Sequence, residues 1–326
     1  MKICVVSFDF WDYDHYIVKA LSKKGVESHH IKIGAVSHAG LQEKVLNALS
    51  KVVLKKNLKH EKRQKYVISS LEKLGFQDQI LVLNPDVFTH ETLAYIRSKT
   101  NRLITFLYDN LQRFPVQDKL HFFDKVFSFD DADVQKYGFE KLCNYNYLDL
   151  QPQAENSSDL DLFYVTSYDK SRNKIIYPLV RKLLQINSVF QIVVVGKKAW
   201  VPKLKYSINP QKSRVPVIFK RKAIGTGIIL DFYKRTKSIL DLMRSGQTGL
   251  SFRVFEAMAF EKKIITNNPT IKNYDFYNPK NILILNEDFS NLTPEFFNSP
   301  YEKIPEDIYQ KYTLDSWVNY VFELKK

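Results

Sequence analysis

Cysteine is nearly missing from this chain: Cys4 and Cys143 are the only two in 326 residues. Nothing supports a disulfide framework or a thiolate zinc site, and a reducing compartment fits. No apolar run approaches the roughly 18 residues that a bilayer span requires. The first residues, MKICVVSFDFWDYD, bring charges too soon after a short apolar run for a secretory leader. The expectation is a cytoplasmic protein whose membrane contact, if any, is peripheral on the inner face. Glycine is scarce at 10 and proline ordinary at 12, which argues against low-complexity chain. Negative charge is in deficit, with 35 acids against 49 Lys and Arg and a formal net charge of +14.

What is present is a core. The chain is 44% hydrophobic and 14% aromatic. At roughly 100–200 residues per domain, two domains are expected. The positive excess suits phosphorylated ligands, an anionic membrane surface or nucleic acid. No nucleic-acid module is recognisable, so nucleic acid is not an expected partner.

Short apolar runs alternate with helical periods along both halves. Strands are expected at 2–8, 28–33, 80–83, 103–107 and 126–129, then again at 162–166, 190–195, 215–219, 238–242, 263–266 and 282–285. Helical periods fall between them, including a strongly basic one over 41–74 closed by Gly75. This alternation is the signature of parallel α/β sheets. Between the halves lies LQPQAENSSD, 150–159, polar and without period, the best linker candidate. Two doubly wound domains facing each other across a cleft follow, and ligands in such sheets bind beyond the carboxyl ends of strands.

One stretch stands out: SGQTGLSFRVFEAMAFEKKIITN, from Ser245 to Asn267. On a helix over 251–260, apolar side chains occupy most of the circumference, and Arg253 and Glu256 share the remaining sliver. Buried charges need partners. One reading is an internal Arg–Glu pair; the other is that the sliver opens onto a ligand. Ser251 is a fitting N-cap. Gly249 would let the backbone approach a ligand, and a helix start favours an anion. Arg253 stands in the first turn, where a cation opposes the helix dipole, so a negative partner such as a diphosphate is suggested.

These residues resemble the donor-site segment of GT-B glycosyltransferases. The similarity is nearest to bacterial lipopolysaccharide, capsule and exopolysaccharide transferases, with looser likeness to the CgeB-like group. Gln247, Thr248, Gly249, Leu250, Arg253, Glu256, Ala257, Lys262, Lys263 and Asn267 carry it. YVTSYDKSR at 164–172, DNLQR at 109–113, VFSFDDADVQKYG at 126–138, IKNYDFYNPKNI at 271–282 and the tail PEDIYQKYTLDSW at 305–317 extend it more weakly. The resemblance implies an acceptor-binding Rossmann-like domain over 1–150 and a donor domain over 151–304. It also implies a C-terminal helix over 305–326 that packs across the domains and returns to the first. It implies a nucleotide-diphosphate sugar, UDP-sugar favoured, as co-substrate and a glycan or lipid-linked glycan as acceptor. Glu256 would bind the ribose, and Ser167, Arg172 and the 247–250 loop would face the diphosphate. Many retaining members carry a second glutamate where this chain has Thr248, so the stereochemical course stays open. A sugar-nucleotide epimerase or hydrolase of the same fold, and a non-catalytic nucleotide- or polyanion-binding protein, are the alternatives.

Other candidates come from the residues alone. The loop SFDFWDYDHY, 7–16, follows the first strand, and Asp9, Asp12, Asp14 or His15 could deprotonate an acceptor hydroxyl, with Asp9 and His15 the named candidates. Asp109, after the strand LITFL, is a further base candidate. Lys220, in the run KRK, could touch phosphates or form a solvated turn. Asp12-Tyr13-Asp14 and Asp159-Leu160-Asp161 spell D-x-D, a spacing common by chance, and neither position suits a metal. No metal and no cofactor are expected, since basic side chains and a helix start can balance a diphosphate. KVVLKKNLKHEKRQK, from Lys51 to Lys65, could lie on anionic lipid, or could cover its own core with a basic outer face.

Overall fold

The computed structural model describes residues 1–9, 11–36, 47, 57–148, 158–196, 217–244 and 246–324. The chain divides into two compact units, Met1–Cys143 with Leu314–Lys326, and Asn144–Thr313.

The first unit carries β1 (Lys2–Ser7), β2 (Glu27–Lys32), β3 (Gln77–Val82), β4 (Thr100–Leu107), β5 (Lys125–Ser128) and β6 (Glu140–Lys141). They form one parallel sheet in the order β2-β1-β3-β4-β5-β6. Its helices are α1 (Asp14–Lys23), α2 (Leu58–Leu74), α3 (His90–Arg97) and α4 (Asp131–Tyr137). Strands such as KICVVS are buried on both faces, as a sheet covered by helices on both sides demands. The inward face of α2 supplies Val67 and Leu71 to that core.

The second unit carries β7 (Leu160–Ser167), β8 (Phe190–Val195), β9 (Val217–Lys220), β10 (Thr236–Asp241), β11 (Lys263–Thr266) and β12 (Ile282–Ile284). Their order is β12-β11-β10-β7-β8-β9, again all parallel. Counted from β7, this is the Rossmann order 3-2-1-4-5-6. Helices α5 (Lys170–Gln185), α6 (Thr226–Arg235), α7 (Phe252–Ala259), α8 (Pro294–Asn298) and α9 (Glu306–Lys311) belong to it.

Two boundaries differ from expectation. The second unit begins at Asn144 rather than 151. Asn144 Nδ2 donates to the Leu250 carbonyl at 2.8 Å, and Asn146 Nδ2 donates to Tyr309 Oη at 2.6 Å, so this segment is tied into the second unit. Residues 150–157 of the expected linker lie outside the described residues. The tail is two helices, not one. Through α9 it stays with the second unit, where Lys311 and Tyr312 bind Asp275 at 2.6 Å each. From α10 (Leu314–Phe322) it belongs to the first. There Trp317 packs edge-on against Phe106 at 5.5 Å, and Gln79 Nε2 donates to the Phe322 carbonyl at 2.9 Å.

Of the basic helical period, α2 is described from its cap Asn57, and the remainder, Asn47 aside, lies outside the described residues, as do Lys51–Lys56 of the candidate membrane segment. Among the described residues no helix is long and apolar enough to cross a membrane.

Candidate functional site

Each sheet has one place where strand order reverses: β1 and β3 in the first unit, β7 and β10 in the second. Loops leaving such a pair in opposite directions open a crevice at the carboxyl edge. Both crevices are lined with charge.

In the second unit β7 ends at Ser167, and Asp169 caps α5, accepting from the amides of Ser171 at 3.0 Å and Arg172 at 3.1 Å. Burial raises the Asp169 pKa, but the Ser171 hydroxyl and these contacts outweigh it and hold the carboxyl below its usual range. Arg172 is only 7% exposed. Its Nε donates to the Leu242 carbonyl at 2.8 Å and its Nη1 to Thr166 Oγ1 at 3.0 Å. It ties the ends of β7 and β10 together, and burial lowers its pKa.

Ser251 caps α7, as its hydroxyl chemistry dictates, accepting from the Arg253 amide. The two charges of this helix find separate partners. Arg253 Nη1 meets Asp241 Oδ1 at 2.9 Å, and its Nε donates to the Val165 carbonyl at 3.0 Å. The negative partner suggested for Arg253 is thus a carboxylate of β10. Glu256, 3% exposed, accepts from Tyr147 Oη at 2.6 Å on Oε1 and from Tyr233 Oη at 3.0 Å on Oε2.

The loop before α7 is fixed through its carbonyls. Thr248 O accepts from Asn268 Nδ2 at 3.0 Å and Thr270 Oγ1 at 2.7 Å, while Leu250 O takes the Asn144 amide. Gln247 is half-buried and Gly249 buried. The left-handed conformation falls at Gly246, with φ 78°, rather than at Gly249. Lys220 ends the edge strand β9, two strands or about 10 Å from β7, and is exposed. The fold does not bring it to this crevice. Lys262 and Lys263, part of the recognised segment, are buried and structural: Lys262 Nζ donates to the Lys234 carbonyl at 2.9 Å and Lys263 Nζ to that of Phe296 at 2.5 Å.

Sequence reasoning passed over Arg244. It follows β10, and its Nη2 donates to Ser167 Oγ at 3.2 Å while its Nε lies 3.6 Å from Asp169 Oδ2. Its position just past a strand of the reversal pair was the available signal. Asp241, Tyr147 and Tyr233 were also passed over, because their roles exist only through partners distant in sequence.

In the first unit the 7–16 loop gathers a second charged group. Asp9 and Asp14 bind each other's backbone amides, Asp9 N to Asp14 Oδ2 at 3.1 Å and Asp14 N to Asp9 Oδ1 at 2.9 Å. Asp9 and Asp12 both hold positive φ, 52° and 58°, a costly backbone state that tends to collect at functional loops. Lys32, ending β2, sets its Nζ 2.8 Å from Asp9 Oδ2 and 3.1 Å from Asp12 Oδ1. His15 Nδ1 stands 3.9 Å from Asp9 Oδ2, with its ring partly open to solvent. Asp14 is buried and accepts from Tyr108 Oη at 2.8 Å. Burial pushes its carboxyl up to about 6, opposed by hydrogen bonds from Ser7 and Tyr108 and assisted by the Asp9 charge. Asp109 pairs with Arg113 of its own turn.

Ligand atoms of Asp9, Asp12 and His15 lie within 4.8 Å of one another, close enough to hold a cation. The Lys32 ammonium already stands between the two carboxylates. The carboxylates of Asp12 and Asp14 turn to different partners, so their D-x-D spacing does not make a chelating pair.

Neither a protein-family model nor a curated protein matches the chain. Solved structures do. The lipopolysaccharide outer core galactosyltransferase WaaB, in its apo form, matches at TM-score 0.55 and 12% identity over 99% of both chains. A UDP-forming α,α-trehalose-phosphate synthase from Burkholderia xenovorans matches at 0.63 and 11% over 98% of both. The Methanocaldococcus jannaschii UDP-GlcNAc 2-epimerase, in complex with UDP-GlcNAc and UDP, matches at 0.56 and 13% over 99% of this chain and 100% of the other. With two parallel six-stranded Rossmann-like sheets and a terminal helix returned to the first unit, this chain has the GT-B fold.

Proposed function

We propose that the protein transfers a glycosyl group from a nucleotide-diphosphate sugar, UDP-sugar favoured, to a glycan or lipid-linked glycan of a bacterial surface polysaccharide. One observation carries this reading: Arg172, Arg244 and Arg253 gather at the reversal of β7 and β10, beside Ser167 and the start of α7. Guanidiniums at a fixed site stabilise the charge that builds on a departing diphosphate. Arg244 is the contact arginine, and Arg172 and Arg253 supply field while bracing the strands. Gln247, Thr248, Gly249 and Leu250 form the loop beside the phosphates. Glu256 serves the ribose by exchanging one tyrosine hydroxyl for a ribose hydroxyl.

The acceptor binds the first unit. His15, beside Asp9, takes the acceptor hydroxyl proton as its oxygen bonds to the sugar's anomeric carbon and the bond to the diphosphate breaks. No metal is needed in this scheme, because arginines balance the leaving group. The exposed lysines of α2, Lys62 and Lys65, continue the basic run that would lie on anionic lipid at the inner face of the membrane. The GT-B likeness and the lipopolysaccharide transferase among the similar structures support the reading.

The UDP-GlcNAc 2-epimerase of the same fold keeps a second reading in view, turnover of the sugar nucleotide without an acceptor. Incubation with a panel of nucleotide sugars, with and without lipid-linked acceptors, followed by mass spectrometry, separates them. Sugar moved only when acceptor is present supports transfer. An isomerised or hydrolysed donor without acceptor supports the second reading, and no change in any donor points to a binding protein.

A further inference from the structure

The first unit contains four arginines, and three of them pair with carboxylates: Arg97 with Asp124, Arg102 with Glu323 and Arg113 with Asp109. Arg63 is different. It projects from α2 and lies over the Phe8 ring, Cζ 4.6 Å from the centroid. Its Nε is buried with no hydrogen-bond acceptor, and no carboxylate pairs with it among the described residues. Burial lowers its pKa. Arg63 is half-buried, and a buried Nε–H left without an acceptor is unfavourable and rarely kept by native proteins without a reason.

Its place supplies that reason. Phe8 is the first residue beyond β1, and its amide donates to Asn84 Oδ1, just beyond β3, at 3.0 Å. Arg63 therefore stacks at the strand-order reversal of the first unit, on the residue that precedes Asp9. The platform is rigid. A Cβ on Gly34 would come within 2.4 Å of the Phe8 carbonyl oxygen, so the chain after β2 packs directly on this turn. The nearby Asp9 carboxylate is already engaged by Lys32 and the Asp14 amide, so it does not serve as the counter-ion.

We infer that Arg63, stacked on Phe8, binds an anionic group, a phosphate monoester or a carboxylate, carried by the acceptor sugar. This deepens the glycosyl-transfer reading and rests on it for the word acceptor; the anion site itself stands on the first unit alone. The arginine fork matches the planar pair of oxygens that either group presents, and stacking leaves that fork pre-set. The unit would then select acidic sugars over neutral ones.

Calorimetric titration of the full chain, first saturated with UDP, tests this with galactose 6-phosphate, galacturonate and galactose. The two anionic sugars should bind, and galactose at least about tenfold more weakly, the scale expected when a charged hydrogen-bonded partner is removed. Arg63→Gln should weaken the anionic sugars by about tenfold while leaving galactose unchanged, and Arg63→Lys should recover part of the loss. The ratio of phosphate to carboxylate affinity identifies which oxyanion the site prefers. Equal binding of all three sugars, or an Arg63→Gln variant that binds anions like the parent, overturns the proposal. So does a loss of sugar-phosphate binding in Arg244→Ala but not in Arg63→Gln, which would put the anion in the second unit. If the parent binds no UDP, the donor reading fails, yet the Arg63 comparison remains readable without nucleotide.

Discussion

Tyr147 Oη donates to Glu256 Oε1 at 2.6 Å across 109 residues of sequence. A second tyrosine, Tyr233, holds Oε2 at 3.0 Å. The one carboxylate of this largely apolar helix is thereby accommodated with two tyrosine hydroxyls among its donors. A buried carboxylate survives in a core when such donors replace its water.

Removing either hydroxyl takes one hydrogen bond from that buried carboxylate. Tyr147→Phe should cost about 1–3 kcal/mol, the penalty of a buried polar group stripped of a partner. Tyr233→Phe should cost no more, since its bond is longer. Urea denaturation of the two variants beside the parent measures both.

Arg253 and Asp241 form a partly buried pair that locks α7 to β10. Asp241→Ala should destabilise the second unit by about 3 kcal/mol, because it removes the carboxylate partner of a mostly buried guanidinium. The double variant Asp241→Ala with Arg253→Leu should recover much of that loss. A double-mutant cycle by chemical denaturation gives the coupling.

Asp14 makes stability depend on pH in an unusual direction. Its folded pKa of about 6 stands above the ordinary 3.8, so between these values the folded chain holds more of this proton than the unfolded chain. Its contribution is therefore full at low pH and is lost as pH rises from about 4 to about 6. Burial raises the pKa first, and the Asp9 charge adds to it. The loss should be at most about 3 kcal/mol, two pKa steps. Asp14→Asn should flatten the profile in this window, read from urea midpoints at a series of pH values.

Gly34 has no room for a side chain against the Phe8 carbonyl. Gly34→Ala should cost about 1–3 kcal/mol, because backbone rather than a flexible side chain blocks the added methyl. The melting midpoint measures it.

Much of the architecture was legible in the sequence. Runs such as FQIVVV can only be strands buried on both faces, and their alternation with helical periods gives parallel sheets. The helix after Ser251 was legible from its cap and its nearly continuous apolar surface. The partners of its two charges were not. Asp241 lies on a strand twelve residues before Arg253, and Tyr147 and Tyr233 come from elements whose approach depends on the folded sheet. The tail shows the same limit: its helical pattern is visible, but the change of unit at Thr313–Leu314 depends on tertiary contacts such as Trp317 with Phe106. At Asp9 the local acids were legible, whereas Lys32, which draws Asp9 and Asp12 together, comes from a neighbouring strand.

The central claim is that the β7–β10 crevice of the second unit holds a nucleoside diphosphate. Calorimetric titration with UDP of the parent and of Arg244→Ala tests it most directly. The account predicts saturable binding by the parent and a loss of about tenfold or more in the variant, the scale of one charge-assisted contact to phosphate. Absence of binding by the parent, or equal affinity in Arg244→Ala, would contradict it.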